Sequence, residues 1–482
     1  MSNEVVEKVM QDGGDKEKLR RFSTIQLLNF CLGFFGLQFA WQMRIILSGP
    51  VTEGFGASPF LFGLIWLAGP FTGMVVQPIV GALSDKTHTI LGRRRPYLLG
   101  GAILASLALW AFPNSSQIAE DICHTLGFNP PIWGALAFAA LMIWVIDACI
   151  NIAQGPYRAL IPDTMPSEQY SIANSFLSFA IGLGSVVAAG TAPFLKYVCN
   201  YQMSINSQFI MAALAFSLAM IWTCMTISER NTSLLNKTQD QENNVKDIEK
   251  NKESKSMKDS IKEFFALSPE VAKICTVQFF TWIGVMCMFI FFTQYTVHSI
   301  YAVPDLTTAN ESIKALYAEA TLKGTNLSSI GFAVLNLICF IVSIPIGVIS
   351  SKLGSKNTHT VSLIIMAIAY LGLAFTKDVK TVILFMGLAG IGWASILALP
   401  FAMLSQYIKQ GTEGTMMGIF NIFIAGPQVF VCTLIAWIIS KLQFTMPNGA
   451  GINYHWEYSL IIGAVVLFIS AGITQFIKEK KS

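Results

Sequence analysis

Long apolar runs separated by short polar segments extend along almost the whole of this 482-residue chain. We count twelve such runs, each of roughly 18–25 residues, the length that an α-helix needs to cross about 30 Å of hydrocarbon. The runs lie near 22–43, 58–83, 97–113, 132–155, 170–194, 207–227, 272–298, 326–350, 360–376, 381–405, 414–440 and 457–477. The pattern predicts an all-α polytopic membrane protein with twelve transmembrane helices, numbered here as spans one to twelve.

One polar stretch interrupts this pattern between spans six and seven. Residues 229–268 are rich in Lys, Glu, Asp and Asn. Such a stretch cannot bury enough apolar surface to fold alone, so we expect a flexible cytoplasmic linker there. The linker divides the chain into two six-helix halves at 22–228 and 269–477, with cytoplasmic tails at 1–21 and 478–482.

The two halves repeat each other at matching positions. After span two the chain reads GALSDK at 81–86 and GRRR at 92–95, and after span eight it reads GVISSKLGSK at 347–356. Span four ends in PYRAL at 156–160, and span ten carries PFAML at 400–404. Two similar segments in the same order in each half indicate an internal duplication, which is typical of transporters with a site between repeats.

Lysine and arginine predict the orientation in the membrane. With the N-terminus inside, the inner segments hold 25 of the 32 Lys and Arg residues, as the positive-inside rule requires. The outer segments hold the other seven: Arg44, Lys196, Lys314, Lys323, Lys377, Lys380 and Lys441. We therefore expect both termini to be cytoplasmic, in a plasma membrane or a bacterial inner membrane.

Composition and motifs exclude several other classes of protein. Charged residues make up 12% of the chain, about half the roughly 25% typical of soluble domains, and the net charge of +4 gives no sign of nucleic-acid binding. The sequence contains no nucleotide loop, metal-ligand spacing or nucleophile motif, so we expect neither an enzyme nor a bound metal or cofactor. Cys123 and Cys199 fall in loops on one side of the membrane, and the sequence does not decide whether they form a disulfide.

Asp147 is the one carboxylate that the hydropathy pattern places deep inside a span. A charge near the bilayer centre costs at least about 2.5–3.5 kcal/mol, so such a group normally faces an aqueous cavity or a partner. A partly desolvated carboxylate without a partner binds a proton readily. Asp147 is therefore predicted to carry a proton coupled to solute movement; the alternative is a static buried ion pair.

Span four carries a polar stripe that includes this acid. At about 100° per residue, Asp147, Asn151, Gln154 and Arg158 fall within about 60° of one another on the helix. This face suits the wall of a central cavity. For Asn151 and Gln154, contact with a solute and hydrogen bonding between packed helices remain equally open.

Other polar and aromatic residues in the spans are weaker candidates for solute binding. They are Trp66 and Gln77 in span two and Asn421 and Gln428 in span eleven. Amide groups and aromatic faces suit sugar rings, although aromatic residues in spans more often pack or face lipid. His298, at the outer end of span seven, is expected to have an interfacial structural role rather than to relay protons.

The loop between spans two and three combines Asp85 with Arg93, Arg94 and Arg95. The three arginines alone would serve as a positive-inside anchor. The acid among them favours a charge lock that breaks when the two halves rock. These four residues, together with Arg158, are our candidates for conformational control.

Several strings in this order resemble one known family of carriers. The segment 81–95 is similar to the signature motif of the major facilitator superfamily, with five extra residues before the glycine–arginine cluster. Within that superfamily, further strings resemble the plant sucrose/proton symporters and their bacterial maltose or sucrose relatives: LIWLAGP at 64–70, VQPIVGALSD at 76–85, LGRRRPY at 91–97, DACINIAQGPYRAL at 147–160, PFA at 400–402, and Asn421 followed by PQ at 427–428.

The resemblance implies a twelve-helix carrier that alternates between outward-open and inward-open states and takes up a glucoside with a proton. In that family the span-four aspartate, here Asp147, couples the proton and lies beside the sugar. The arginine of the Gly-Pro-x-Arg string, here Arg158, is held to matter for transport. The related melibiose-type sodium symporters place carboxylates in span two. This chain has none there before Asp85, which favours the proton.

The sequence thus predicts a monomeric proton/disaccharide symporter for sucrose or a maltose-like glucoside, with lipid, sugar and proton as its partners. An uncoupled or sodium-coupled facilitator or exporter of the same fold is the first alternative. A membrane receptor or scaffold, in which the linker recruits a cytoplasmic partner, is the second.

Overall fold

The structure is a computed structural model that describes residues 21–87, 89–166, 169–227, 262, 264–307, 311–407, 413–446 and 451–478. In these residues twelve helices are long and apolar enough to cross a membrane. The prediction of an all-α fold with twelve spans is confirmed, and the chain is a multi-pass membrane protein. Most of the tails and of the linker at 229–268 lie outside the described residues.

The first half contains spans one to six. Span two is divided into two helices, and span three continues through a short 3-10 turn, Phe112–Asn114, into a further helix. The helices are Thr24–Gly54 (span one), Pro59–Trp66 and Ala68–Lys86 (two), Arg95–Ala111 and Ser115–Thr125 (three), Gly134–Thr164 (four), Tyr170–Tyr197 (five) and Ile205–Thr226 (six).

The second half contains spans seven to twelve, and two of its spans include a wider π-helical turn. The helices are Pro269–Gln294 with the π-helix Tyr295–Ile300 (span seven), Glu311–Leu353 (eight), Ser355–Phe375 (nine), Val379–Ser405 (ten), Glu413–Phe430 with the π-helix Val431–Ile435 and the helix Ala436–Lys441 (eleven), and Glu457–Thr474 (twelve). A small antiparallel hairpin, β1 (Gln443–Thr445) and β2 (Ile452–Tyr454), joins spans eleven and twelve.

Corresponding helices of the two halves occupy equivalent places in the bundle. Spans one and seven are the most enclosed, with 78% of the most apolar stretch of each buried. Span one packs against spans five and six, and span seven packs against spans eleven and twelve. The halves meet where span five contacts span eight, span two contacts span eleven, and span one contacts span seven.

The turns that carry the repeated sequence also share a backbone conformation. Gly92, before the first arginine cluster, has φ +101°, and Gly354, between spans eight and nine, has φ +85°. A side chain is strongly disfavoured in this left-handed region, whereas glycine adopts it freely. The duplicated turn therefore keeps glycine at the point where the chain reverses.

Local sequence accounts for the ends and breaks of the helices that form the cavity described below. Ser23 caps span one by accepting the Gln26 N–H, while the Gln26 side chain accepts the Ser23 N–H, a capping box. Span two breaks at Leu67 because Pro70 has no N–H to donate to the Trp66 carbonyl. The break lies directly after Trp66, one of the predicted solute contacts.

Two of the helix boundaries that differ from the prediction displace charges that we counted in outer loops. Span one continues to Gly54 rather than ending near residue 43, so Arg44 lies inside the span and is only 2% exposed. Span eight begins at Glu311 rather than near residue 326, so Lys314 and Lys323 lie on a helix. In span one the hydropathy scan stopped at Arg44 because it cannot detect the partner that makes burial of a charge tolerable.

All nine cysteines lie in the described residues, and all nine are free. Cys123 and Cys199 therefore do not form the disulfide that the sequence left open.

Candidate functional site

A cavity of about 430 Å³ lies between the two halves. It is lined by all eight of the residues that were predicted to contact solute or to belong to the polar stripe: Trp66, Gln77, Asp147, Asn151, Gln154, Arg158, Asn421 and Gln428. On span four the lining runs from Asp147 to Arg158, which corresponds to a depth of about 16 Å at 1.5 Å per residue. We call the end of the bundle where span one begins the near end, and the end where it finishes the far end.

Asp147 forms a buried ion pair with Arg44 of span one. Arg44 Nη2 lies 2.5 Å from Asp147 Oδ2, and both side chains are 2% exposed. The Arg44 guanidinium also lies 4.2 Å from the centroid of the Trp66 ring, a contact worth about 2 kcal/mol where water is excluded. Asp147 therefore has a buried partner in this state, and the two charges cancel inside the membrane.

Asn151 has its hydrogen-bonding capacity satisfied by protein groups. Its Nδ2 donates to Thr72 Oγ1 and to the Asp147 carbonyl oxygen, both at 2.9 Å. Its Oδ1 accepts from Gln77 Nε2 at 2.5 Å. This geometry favours the interhelical role for Asn151, since it joins spans two and four beneath the ion pair.

The second half supplies an aromatic wall opposite span four. Trp282 and Trp393 meet edge to face at 5.8 Å, and Phe289 lies 5.0 Å from Trp393; all three line the cavity. In the described part of the chain, Nε1 of Trp66, Nε1 of Trp282 and Nε of Arg44 are buried without a hydrogen-bond partner. A ligand with several acceptor oxygens and a flat apolar face would satisfy these donors while packing on the rings.

Small residues allow the two halves to close over the far end of this cavity. A Cβ atom on Gly63 of span two would lie 2.3 Å from the Cys432 carbonyl oxygen of span eleven. A Cβ atom on Gly49 of span one would lie 1.7 Å from the Gln294 amide of span seven. Both contacts join one half to the other, so the far end is closed in this state.

Charged residues at the near end form a network within the first half. Arg94 pairs with Asp85 at 2.5 Å and with Asp163 at 3.0 Å, and Arg93 forms two hydrogen bonds to Asp163. Arg95 is half-buried beside them. The network joins spans two, three and four, so these contacts hold one half together and do not bridge the two halves.

The Asp163→Asn variant should unfold at a temperature several degrees lower than the parent protein. Asp163 accepts from two arginines at 14% side-chain exposure, and charge-assisted bonds of this kind contribute about 1.5–3 kcal/mol each. Thermal unfolding of the purified protein measures the loss. Asp85→Asn is the matched control, because Asp85 is 59% exposed and exposed pairs contribute less than about 1 kcal/mol; equal shifts in the two variants would contradict this account.

Sequence reasoning missed Arg44, Asp163 and Trp282. For Arg44 a signal existed, because the apolar run around it continues to about residue 51 once a single charge is allowed. A buried acid such as Asp147 also indicates that a buried base lies nearby. Asp163 lies at the end of a helix that was predicted to finish near residue 155. Nothing in the sequence separates Trp282 from the other aromatic residues of span seven.

Comparison with known proteins gives the same family that the sequence strings resemble. The profile of the Major Facilitator Superfamily matches residues 30–430 and 312–480. A sucrose transport protein of Arabidopsis thaliana is 25% identical over 430 residues, covering 82% of this chain and 80% of that relative. A general alpha-glucoside permease of Schizosaccharomyces pombe is 27% identical over 293 residues, covering 58% of this chain and 49% of the permease.

Solved structures share the fold at lower sequence identity. The nucleoside transporter NupG superposes with a TM-score of 0.65 at 11% identity, covering 94% of this chain and 99% of NupG. A D-xylose-proton symporter gives a TM-score of 0.59 at 15% identity, covering 94% and 98% of the two chains. The family profile and the curated relatives, a sucrose transport protein and an alpha-glucoside permease, are those of transporters, in agreement with the expectation that this chain is not an enzyme. From the profile match, the twelve spans and the duplicated halves, we conclude that the chain belongs to the major facilitator superfamily.

Proposed function

We propose that this chain is a symporter that moves a disaccharide of the sucrose or maltose type together with a proton, by opening the central cavity alternately at its two ends. The observation that carries the proposal is the buried Arg44–Asp147 pair in a cavity lined by both halves. The names of the relatives, a sucrose transport protein and an alpha-glucoside permease, supply the class of cargo.

The cavity has the size and the chemistry for a sugar. Pockets for small molecules have volumes of about 300–1,000 Å³, and this one measures about 430 Å³. The apolar face of a sugar ring would pack on Trp282 and Trp393, and its hydroxyls would pair with Gln154, Gln428 and the buried donors. Because these residues come from both halves, a bound sugar would favour the state in which the halves close around it.

The ion pair offers a physical route to proton coupling. While Asp147 is ionised, it holds the Arg44 guanidinium. A proton on Asp147 removes its charge, and Arg44 can then donate to sugar hydroxyls instead. Proton and sugar would therefore each strengthen the binding of the other, as thermodynamic linkage requires. An empty or doubly loaded carrier would reorient more readily than one with an unpaired charge.

Proton flux in proteoliposomes tests the proposal. We expect external sucrose or maltose to drive proton uptake at a ratio of about one proton per sugar, since one carboxylate carries the coupling. An uncoupled facilitator would move sugar without protons, and a sodium-coupled carrier would require sodium. A receptor or scaffold would move no sugar, and deletion of residues 235–255 would abolish its function while leaving a symporter's uptake nearly intact.

The same proposal includes an orientation and an assembly state. The excess of Lys and Arg at the near end supports cytoplasmic termini, in a plasma membrane or bacterial inner membrane. The cavity is complete within one chain, which supports a functional monomer. Labelling of the exposed Cys199 in sealed cells with a membrane-impermeant thiol reagent tests the orientation, because the far end should react from outside.

A further inference from the structure

Glu53 and His298 join the two halves at the far end. Glu53 lies at the end of span one, and His298 lies in the π-helical turn of span seven. Glu53 Oε2 is 2.8 Å from His298 Nε2, with side-chain exposures of 14% and 1%. Neither residue lines the cavity that contains Asp147. The pair is therefore a titratable contact between the halves that the proposed coupling does not use.

The orientation of the His298 ring is fixed by its other contacts. Its Nδ1 lies 2.8 Å from the Val303 carbonyl oxygen, and a carbonyl can only accept, so Nδ1 carries a hydrogen. Trp456 stacks on the ring, with centroids 5.6 Å apart and planes at 20°. Asn453 donates to the carbonyl oxygens of His298 and Val303. These contacts fix the ring so that Nδ1, with its hydrogen, faces the Val303 carbonyl and Nε2 faces Glu53.

This geometry requires a proton between the two side chains. With hydrogen on Nδ1, a neutral imidazole presents a lone pair at Nε2, and a carboxylate presents only lone pairs. At 2.8 Å they form a hydrogen bond only as an imidazolium with a carboxylate, or as a neutral imidazole with a carboxylic acid. Either form holds one proton more than a water-exposed histidine and glutamate hold at pH 7.

We propose that Glu53 and His298 form a second proton-binding site, a latch that holds the far end closed while it retains its proton. Opening separates the two side chains and exposes them to water, where the extra proton is released. The closed state then binds one more proton than the open state, so the closed-to-open ratio falls by up to about tenfold per unit rise in pH. The latch depends neither on the identity of the cargo nor on Asp147.

Other charged or titratable groups of the described residues lie near the latch, and both halves contribute them. The second half contributes Asp305, Lys377, Tyr454, Tyr301, the pair His455 and Glu457, and the pair Lys323 and Glu319. The first half contributes Tyr197, beside Tyr301 and Lys323, and Lys196, beside Glu319. Burial raises the pKa of Tyr454 to about 12, so Tyr454 stays neutral up to pH 9. Asp305 favours retention of the proton, and Lys377, which donates to the Ser299 carbonyl, opposes it. These two charges set the pH at which the latch releases its proton.

Distance measurements across the far end test the latch. Spin labels would replace Tyr201 of the first half and Phe375 of the second, which are 57% and 76% exposed, after Cys123 and Cys199 are changed to Ser. The full chain in lipid nanodiscs, without sugar, is measured at pH 5, 7 and 9. We expect the closed-to-open ratio of the distance populations to fall at least tenfold between pH 5 and pH 9.

Two variants separate the latch from any other pH effect. In Glu53→Gln the amide can donate to Nε2 of a neutral His298, so the far end should stay closed at every pH; His298→Gln should also lose the pH dependence. His455→Gln is the matched control, because that imidazole pairs with Glu457 at 2.7 Å within one half, and it should behave as the parent. A parent ratio that changes less than twofold, or an unaltered pH dependence in both latch variants, would overturn the proposal.

Discussion

Asp147→Asn is expected to abolish accumulation of sugar against its gradient, lowering it at least tenfold. Asparagine has no group that gains or loses a net proton in the accessible pH range. The substitution also leaves Arg44 as an unpaired charge at 2% exposure, and breaking a buried pair in this way costs about 3–5 kcal/mol. The variant should therefore be both uncoupled and less stable. Accumulation of labelled sucrose or maltose in vesicles with an imposed proton gradient measures the first effect, and thermal unfolding measures the second.

The double variant Arg44→Gln/Asp147→Asn separates these two effects. Removing both charges leaves no uncompensated ion, so stability should return towards that of the parent, while accumulation stays lost. Asp378→Asn serves as the control acid, because Asp378 caps span ten at the far end and asparagine caps a helix as well as aspartate does. Undiminished accumulation in either the single or the double variant would exclude Asp147 as the coupling residue.

Gly63→Leu is expected to hold the far end open and to reduce transport at least tenfold. The new Cβ would lie 2.3 Å from the Cys432 carbonyl oxygen and 2.4 Å from the Ala436 Cβ. Neither neighbour can rotate away, because one is backbone and the other is a methyl group on a helix, so the halves must separate there. The cavity would remain accessible from the far end, and sugar binding should survive while turnover fails.

Radioligand binding and uptake by the same preparation distinguish this outcome from unfolding. Gly190→Leu is the matched control, because a Cβ at Gly190 of span five meets nothing within 4 Å; it should transport as the parent does. The label pair at Tyr201 and Phe375 should report a longer distance in Gly63→Leu alone. Uptake at the parent's rate with an unchanged distance would show that closure does not require glycine at this position.

The sequence allowed the helices and one face of span four to be predicted because both depend on short-range periodicity. A helix repeats every 3.6 residues, so Asp147 and Gln154 were predicted to share a face, and both line the cavity. The partner of Asp147 could not be found in the same way. Arg44 is 103 positions away, and a hydropathy scale assigns each residue a transfer cost without its neighbours, so it placed Arg44 in a loop.

The same limit explains Asn151 and His298. The sequence could not distinguish an amide that contacts solute from one that joins helices, and only the positions of Thr72 and Gln77 favour the second role. His298 was expected to be structural because it lies at the outer end of span seven. Its partner, Glu53, is 245 positions away and comes from the other half. Ion pairs within a membrane are properties of packing, which one sequence alone does not specify.

The length of span eight has a practical consequence. Its 43 residues correspond to about 65 Å of helix, roughly twice the hydrocarbon thickness. The first turns, from Glu311 towards Lys323, are therefore expected to extend beyond the bilayer as a helical rod at the far end. An antibody fragment bound to this rod would move with the second half and leave the cavity free. The rod thus offers a marker for imaging a protein whose described residues lie mostly in membrane-spanning helices.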